Sequence, residues 1–351
     1  MSEWFFKTKG PLDPELDRVL CIERPELEGL LHLCRQPTVY SYGALLSSRQ
    51  TGKTTLLYLL RQRLQNLFPV VFIDLSVLRH QPEAACYGFV AQRLLERMAG
   101  WLGDGADRAL PDRFETPVDF LTFLEALANQ SRASRVVVML DEVGALSPES
   151  SDSFFNLVRS VFNSARGLQD ILGKFLFVFS GAVDLYDLTF GANSPLNICE
   201  KIYLGDFSLD DVRRLVSHFE RLGLTPFEGM AEQIYALTSG HVYLSVRLCS
   251  LIERQRPDDL TPKTVHQAAD RLLQGDDNLQ HVLRRLDMFP QARACLYEIM
   301  QRENEIPFSR NDTVLARLEM FGAIRGGDTC QVRNELYRRM LWRYFSINKD
   351  P

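Results

Sequence analysis

Between residues 44 and 57 the chain runs Ala44-Leu45-Leu46, breaks into Ser47-Ser48-Arg49-Gln50-Thr51-Gly52, and resumes as Lys53-Thr54-Thr55-Leu56-Leu57. An apolar run that meets a polar turn and then opens on leucines at helical spacing reads as a buried strand leaving through a tight loop into a helix. Such a junction suits phosphate. Small residues and a glycine let successive backbone N–H groups point at one anion, and the helix N-terminus adds its positive end. In that reading Ser48, Arg49, Gln50, Thr51, Gly52, Lys53, Thr54 and Thr55 form the cradle. Lys53 would reach the β and γ phosphates, and the Thr54 hydroxyl would hold Mg²⁺. The pattern G-x-x-x-x-G-K-[ST] is broken at its first position, where Ser47 stands. A bare Gly-Lys-Thr turn is also a common solvated loop, so its partners decide.

A second stretch supplies them. Val136 to Leu140 is a five-residue apolar run ending in Asp141-Glu142. Such a run fits a central parallel strand. Acidic residues at its C-terminal end fall where open α/β sheets bind ligands. Asp141 would support the Mg²⁺ shell, directly or through water, and Glu142 would polarise a water for attack on the γ-phosphate. The alternative is a strand ending in a solvated acidic turn. The pair lies about ninety residues beyond Gly-Lys-Thr with a strand and helices between, and together the two stretches indicate nucleotide binding.

Around them the chain alternates. A short helix is expected at 26–34, helices at 53–67, 83–99, 118–129 and 150–168, and strands at 69–74, 174–181 and 201–204, with loops at 100–117 and 192–198. Beyond Asp206 the pattern becomes helical. Ser208 with Asp211 reads as a capping box, Thr225-Pro226-Phe227-Glu228 as a cap, an N1 proline and an N3 acid, and Thr261-Pro262 repeats the device. The last seventy residues predict helices at 291–302 and 309–321, a hairpin through Gly326-Gly327-Asp328, and a closing helix from 334 to 345, the order of a winged helix.

Several residues carry two readings. Arg24 is either a surface residue or a contact to base or ribose. Ser180 either senses the γ-phosphate or satisfies backbone at a strand end. His241 is a cap or packed junction residue, or a ligand contact. Arg159 and Arg166 either form salt bridges along an exposed helix or reach a neighbouring subunit's γ-phosphate.

Composition excludes some classes. With 351 residues, 46% hydrophobic and 24% charged, the chain is long enough for two or three domains. A net charge of −5 gives no global attraction to nucleic acid or anionic membrane. Seven cysteines without a C-x-x-C pair read as buried thiols in a reducing compartment. With no signal peptide and no long apolar run, a cytoplasmic location is expected. Residues 281–351 hold twelve Lys/Arg and nine Asp/Glu, and that surplus of three leaves a DNA role open without supporting it.

The whole chain resembles the AAA-like ATPases of the STAND and Orc/Cdc6-like group. The resemblance rests on Ile22-Glu23-Arg24, Ser48 to Thr54, Val71 to Leu75, Leu140-Asp141-Glu142, and Phe154-Phe155 with Arg159 and Arg166. It continues through Ser194 to Ile198, Ser239-Gly240-His241, and Val332-Arg333-Asn334 with Tyr337. The family often lacks the first loop glycine. It commonly has Gly-His-Pro where this chain has Gly240-His241-Val242.

The resemblance implies an α/β fold, a P-loop NTPase parallel-sheet core at 37–206 preceded by an N-terminal segment at 1–36. A helical lid at 207–277 and a winged helix at 278–351 would follow. It also implies ATP and Mg²⁺ as ligands, nucleotide held by core, lid and winged helix, and a signalling switch with slow hydrolysis. A protein partner or self-association follows, with no membrane. Orc-like DNA binding through the winged helix, with Arg325 and Arg333 on duplex, is the alternative. The same surface could instead dock a protein.

Overall fold

The computed structural model describes residues 4–103, 114–166, 170–189 and 194–347. They divide into two compact units. One is built from Glu23–Leu46 and Lys53–Leu204. The other takes Met1–Ile22, Ser47–Gly52 and Gly205–Pro351.

The first unit is a sheet with helices packed on it. In chain order it holds α1 (Pro25–Arg35), β1 (Tyr42–Leu46), α2 (Lys53–Leu64), β2 (Val70–Asp74), α3 (Glu83–Met98), α4 (Pro117–Gln130) and β3 (Val136–Asp141). α5 (Pro148–Ala165), β4 (Phe175–Gly181), α6 (Val183–Thr189) and β5 (Cys199–Tyr203) complete it. The strands lie in the order β2-β3-β4-β1-β5 and every pairing is parallel. Their sequences explain why. All residues of β1, β3 and β4 are buried, and unbroken apolar runs are what a strand covered on both faces requires. Tyr42 of β1 packs edge-on to Phe162 of α5 and Phe177 of β4, at centroid distances of 5.0 and 5.2 Å. Each aromatic pair of this kind adds roughly 0.5–1.5 kcal/mol beyond its buried area. α4 starts on a Thr116–Asp119 capping box, and α5 on the Ser147 hydroxyl, which accepts from the Ser150 amide.

The second unit is mostly helical: α7 (Leu209–Ser217), α8 (Met230–Thr238), α9 (Val242–Gln255), α10 (Pro262–Gly275), α11 (Asp277–Met288), α12 (Pro290–Gln301) and α13 (Thr313–Phe321). The antiparallel pair β6 (Ile324–Arg325) and β7 (Gln331–Val332) and the closing α14 (Glu335–Ile347) follow. The order of α12, α13, hairpin and α14 is the one expected from the sequence. Near the N-terminus the Phe5 and Phe6 amides donate to the Glu253 carboxylate on α9, and Phe6 stacks beside Phe219.

The capping boxes at Ser208 and Thr261 are present as expected. Two helix starts are not. Thr225-Pro226 does not begin a helix; α8 starts at Met230, after Gly229 at φ 84°, a left-handed conformation that interrupts any helix begun earlier. Likewise α13 begins after Asp312, whose carboxylate accepts from the Val314 and Leu315 amides, while the Ser309 hydroxyl closes only a local turn onto Asn311. Parts of the loops expected at 100–117 and 192–198, and the end of the helix expected at 150–168, lie outside the described residues. Among the described residues no helix is long and apolar enough to cross a membrane.

Candidate active site

Sheet order brings the two decisive stretches together. β1 and β3 flank β4, so their C-terminal ends lie roughly 10 Å apart with the end of β4 between them. Leu45 pairs with Ser180, Leu46 with Gly181, and Asp141 with Asp74 of β2. Thr54, in the first turn of α2, donates its hydroxyl to Asp141 Oδ2 at 2.6 Å. The other carboxylate oxygen accepts from the Glu142 amide at 3.0 Å, so Asp141, only 3% exposed, is held from two sides. Glu142 is exposed and has φ 55°. A non-glycine residue in the left-handed region is stored strain of a kind found at functional sites. At the end of β4, a Cβ on Gly181 would lie 2.7 Å from the Leu185 Cβ and 3.0 Å from the Val143 Cγ2, so only glycine lets α6 and the turn after Glu142 approach.

The loop is already shaped as a cradle. Gln50 has φ 59° and Gly52 φ 86° on either side of Thr51. Right- and left-handed residues in alternation turn successive N–H groups to one side and form an anion-binding concavity. Thr51, fully buried, donates its hydroxyl to the Ser48 carbonyl at 3.0 Å. Ser48 is buried and its hydroxyl accepts from Arg333 Nη1 at 2.6 Å. Gln50 Oε1 accepts from Asn278 Nδ2 at 2.6 Å. Arg49 is exposed and turned toward α11, its Nη1 3.5 Å from His281 Nδ1. Lys53 is 9% exposed and Thr55 is half-buried.

The residues with two readings now separate. The Ser180 hydroxyl is fully buried and has no hydrogen-bond partner among the described residues, so it does not satisfy the backbone at the strand end. Arg24 is not a surface residue: it is 7% exposed and stands at the N-cap of α1. Arg159 Nη1 donates to the Ser194 carbonyl at 3.4 Å, and Arg166 Nη2 to the Tyr40 carbonyl at 3.1 Å, its guanidinium 4.9 Å from the Phe162 ring centre. The salt bridges one reading gave these arginines are absent among the described residues.

His241 is the N-cap of α9, its Nδ1 accepting from the Leu244 amide at 3.4 Å, while Nε2 is buried without a partner among the described residues. Burial, with Arg333 adding to it and Asp206 opposing, pushes its pKa down to about 3, so the ring is neutral. Arg333 is buried, in a bidentate pair with Asp206 at 2.8 and 3.0 Å. Burial lowers its pKa most strongly, but Asp206, Tyr337 and Glu319 together more than offset this and leave it above the ordinary value. A residue so enclosed cannot lie on a duplex, which corrects its expected pairing with Arg325. Arg325 is exposed and donates to Gln331 Oε1 across the hairpin.

The residues present fit a Mg²⁺-bound nucleoside triphosphate. In the first unit a hydroxyl and a carboxylate are paired, the oxygen donors a divalent ion needs, and Ser180 ends β4; in the second the loop residues already form an anion cradle. Two protein oxygens suffice for Mg²⁺, which keeps several waters and takes the rest from phosphate. No role at the phosphate loop was legible in the sequence for Arg333, expected only on duplex, or for Asp206, Asn278 and Tyr337. Their link to the loop spans up to 285 positions, and no local pattern announces it.

The model of the AAA-like domain family matches residues 12–346. Among curated proteins no match is found. Among solved structures the chain is similar to the Walker-type ATPase PABY2304 of Pyrococcus abyssi, with 16% identity and a TM-score of 0.66 over 96% of this chain and 99% of that one. It also matches Cdc6p from Pyrobaculum aerophilum at 16% identity and a TM-score of 0.49, covering 95% and 98% of the two chains. That second likeness is too distant to add to the argument. The first shows a shared fold.

Proposed function

We propose, from the premise that this chain belongs to the AAA-like domain family, that it is an ATP-binding switch with slow Mg²⁺-dependent hydrolysis, coupling nucleotide state to assembly or partner binding. The observation that carries the nucleotide reading is the 2.6 Å bond from Thr54 Oγ1 to Asp141 Oδ2. It joins the loop helix to the end of β3, and these two side chains would hold Mg²⁺. Mg²⁺, when bound, would neutralise charge on the β and γ phosphates. The chain's own residues do the rest. Backbone amides of the loop and Lys53 bind phosphate, Asp141 orients the Thr54 hydroxyl, and Glu142 polarises the attacking water. Ser180 would offer its hydroxyl to the γ-phosphate. Glu142 is exposed, so its carboxylate is hydrated and water is not excluded around it, which favours slow turnover.

The switch reading is supported by the composition of the second unit. Loop residues Ser47–Gly52 belong to the same compact body as Gly205–Pro351, so a phosphate that reshapes the loop acts on that body directly. In an assembly, Arg166 would supply an arginine to a neighbour's γ-phosphate, since it is exposed at the end of α5 and, among the described residues, is held by a carbonyl and a ring. Arg159 is less suited, being half-buried.

The test is the solution mass and the hydrogen exchange of residues 205–347 in the Glu142→Gln protein, with Mg²⁺·ATP and with ADP. A larger species, or altered protection in that body, with ATP alone is expected. Identical mass and identical exchange in both nucleotides would contradict the switch.

A further inference from the structure

The phosphate loop carries a non-glycine residue, Gln50, in the left-handed region at φ 59°. Such a residue does not hold that conformation without support. The support is a line of amide and phenol that runs inward from the loop. Gln50 Oε1 accepts from Asn278 Nδ2, and Asn278 Oδ1 accepts from the Tyr337 hydroxyl. Asn278 is 5% exposed and Tyr337 1%, so the bond between them is shielded from water, while the bond to the exposed Gln50 is part-buried. Both are fixed in turn. The Asn278 amide donates to Asp276 Oδ1 at 3.0 Å and the Tyr337 amide to Asn334 Oδ1 at 3.0 Å.

A second line runs beside it. Arg333, between Asp206 and Ser48, fixes the loop two residues earlier. Gly322, at φ 86°, makes room there: a Cβ on it would stand 3.1 Å from Ser48 Cβ and 3.3 Å from Arg333 Nη1. Two side chains of a six-residue loop segment are therefore gripped from α11, α14 and the turn before α14.

We infer that Asn278 and Tyr337, with Arg333 as the second anchor, are positioning residues that hold the loop in its phosphate-accepting form through Gln50 and Ser48. The inference rests on the ATP-binding reading above and assigns these residues no contact with nucleotide. A loop held in advance loses less freedom on binding, so the anchors act on affinity. Without Asn278, Gln50 relaxes from its left-handed conformation and the concavity opens. With glycine at position 50 the same conformation costs almost nothing, and the anchor becomes dispensable.

The test is a double-mutant cycle read by titration of a fluorescent ATP analogue and by steady-state turnover, on the full chain. Asn278→Ala removes the bond to Gln50 and the one from Tyr337, and should weaken binding about tenfold or more through the lost support of Gln50, with KM raised and kcat kept. Tyr337→Phe, which removes one hydroxyl and keeps the packing, should weaken it several-fold. Gln50→Gly in the Asn278→Ala background should restore affinity to within about twofold of Gln50→Gly alone.

Losses that simply add in the double variant would overturn the inference, as would Tyr337→Phe and Asn278→Ala chains that bind as the unaltered protein does. An unaltered protein that binds no ATP would overturn the nucleotide reading itself. The two failures are thus told apart by the first titration.

Discussion

His241 makes the second unit sensitive to acid, and the size of the effect follows from its surroundings. Its Nδ1 caps α9 and its Nε2 is sealed from water, so protonation breaks the cap and places a second cation near Arg333. The folded pKa is about 3, against an ordinary value of 6.5. Because the folded value is depressed, the unfolded chain binds the proton more readily, and stability falls as pH drops below about 6.5. At about 1.4 kcal/mol per unit, His241 withdraws roughly 2 kcal/mol between pH 7 and pH 5, and roughly 3 kcal/mol by pH 4.

The control is His241→Asn, whose amide oxygen can cap the same helix without titrating. Native-state hydrogen exchange of the α9 and α14 amides at pH 7 and pH 5 reads the loss in this unit alone, where a global transition in a two-unit chain would not. His281, whose pKa is pushed down to about 4 by burial and Arg49, is present in both proteins and cancels in the difference. The expected result is a drop in opening free energy larger by about 2 kcal/mol in the unaltered chain. Equal drops in the two proteins, or an imidazole resonance of His241 titrating near pH 6.5, would refute the reasoning.

Two further predictions follow from close contacts. Gly240→Ala should destabilise the second unit by more than about 3 kcal/mol, because Gly240 has φ 78° and its Cβ would fall 1.9 Å from the Phe207 carbonyl oxygen. Thermal denaturation measures this, and a variant as stable as the unaltered chain would be against it. Ser180→Ala removes a buried hydroxyl without a partner, so the nucleotide-free protein should be unchanged or more stable by about 1 kcal/mol. Single-turnover ATP hydrolysis should fall about tenfold or more in the same variant, and full activity would return Ser180 to a packing role.

Most of the core was legible because its elements announce themselves locally. Val136–Asp141 is an unbroken apolar strand with an acid at its end, and Lys53–Leu64 places leucines at helical spacing. The loop and Asp141 could be linked from their residue types alone because each needs the other chemically, and the Thr54 bond joins them. Helix starts were less secure where two local signals competed. Thr225-Pro226-Phe227-Glu228 has every mark of a helix start, yet Gly229 turns left-handed one residue later and carries the start to Met230. The anchors of the loop were not legible at all. Gln50 and Asn278 are separated by 228 positions, and neither is unusual in its own segment. Tyr337 drew notice through resemblance alone, and Arg333 through resemblance and the duplex alternative. Only the fold shows what they touch.

The central claim is that Gly52-Lys53-Thr54 and Asp141-Glu142 bind and hydrolyse Mg²⁺·ATP. The most direct measurement is calorimetric titration of ATP with Mg²⁺, paired with phosphate release, on the unaltered chain, Lys53→Ala and Glu142→Gln. Binding and slow turnover are expected of the first, no binding of the second, and binding with turnover reduced by about 10²-fold or more of the third. ATP bound equally well by Lys53→Ala, or hydrolysed at the normal rate by Glu142→Gln, would contradict that claim.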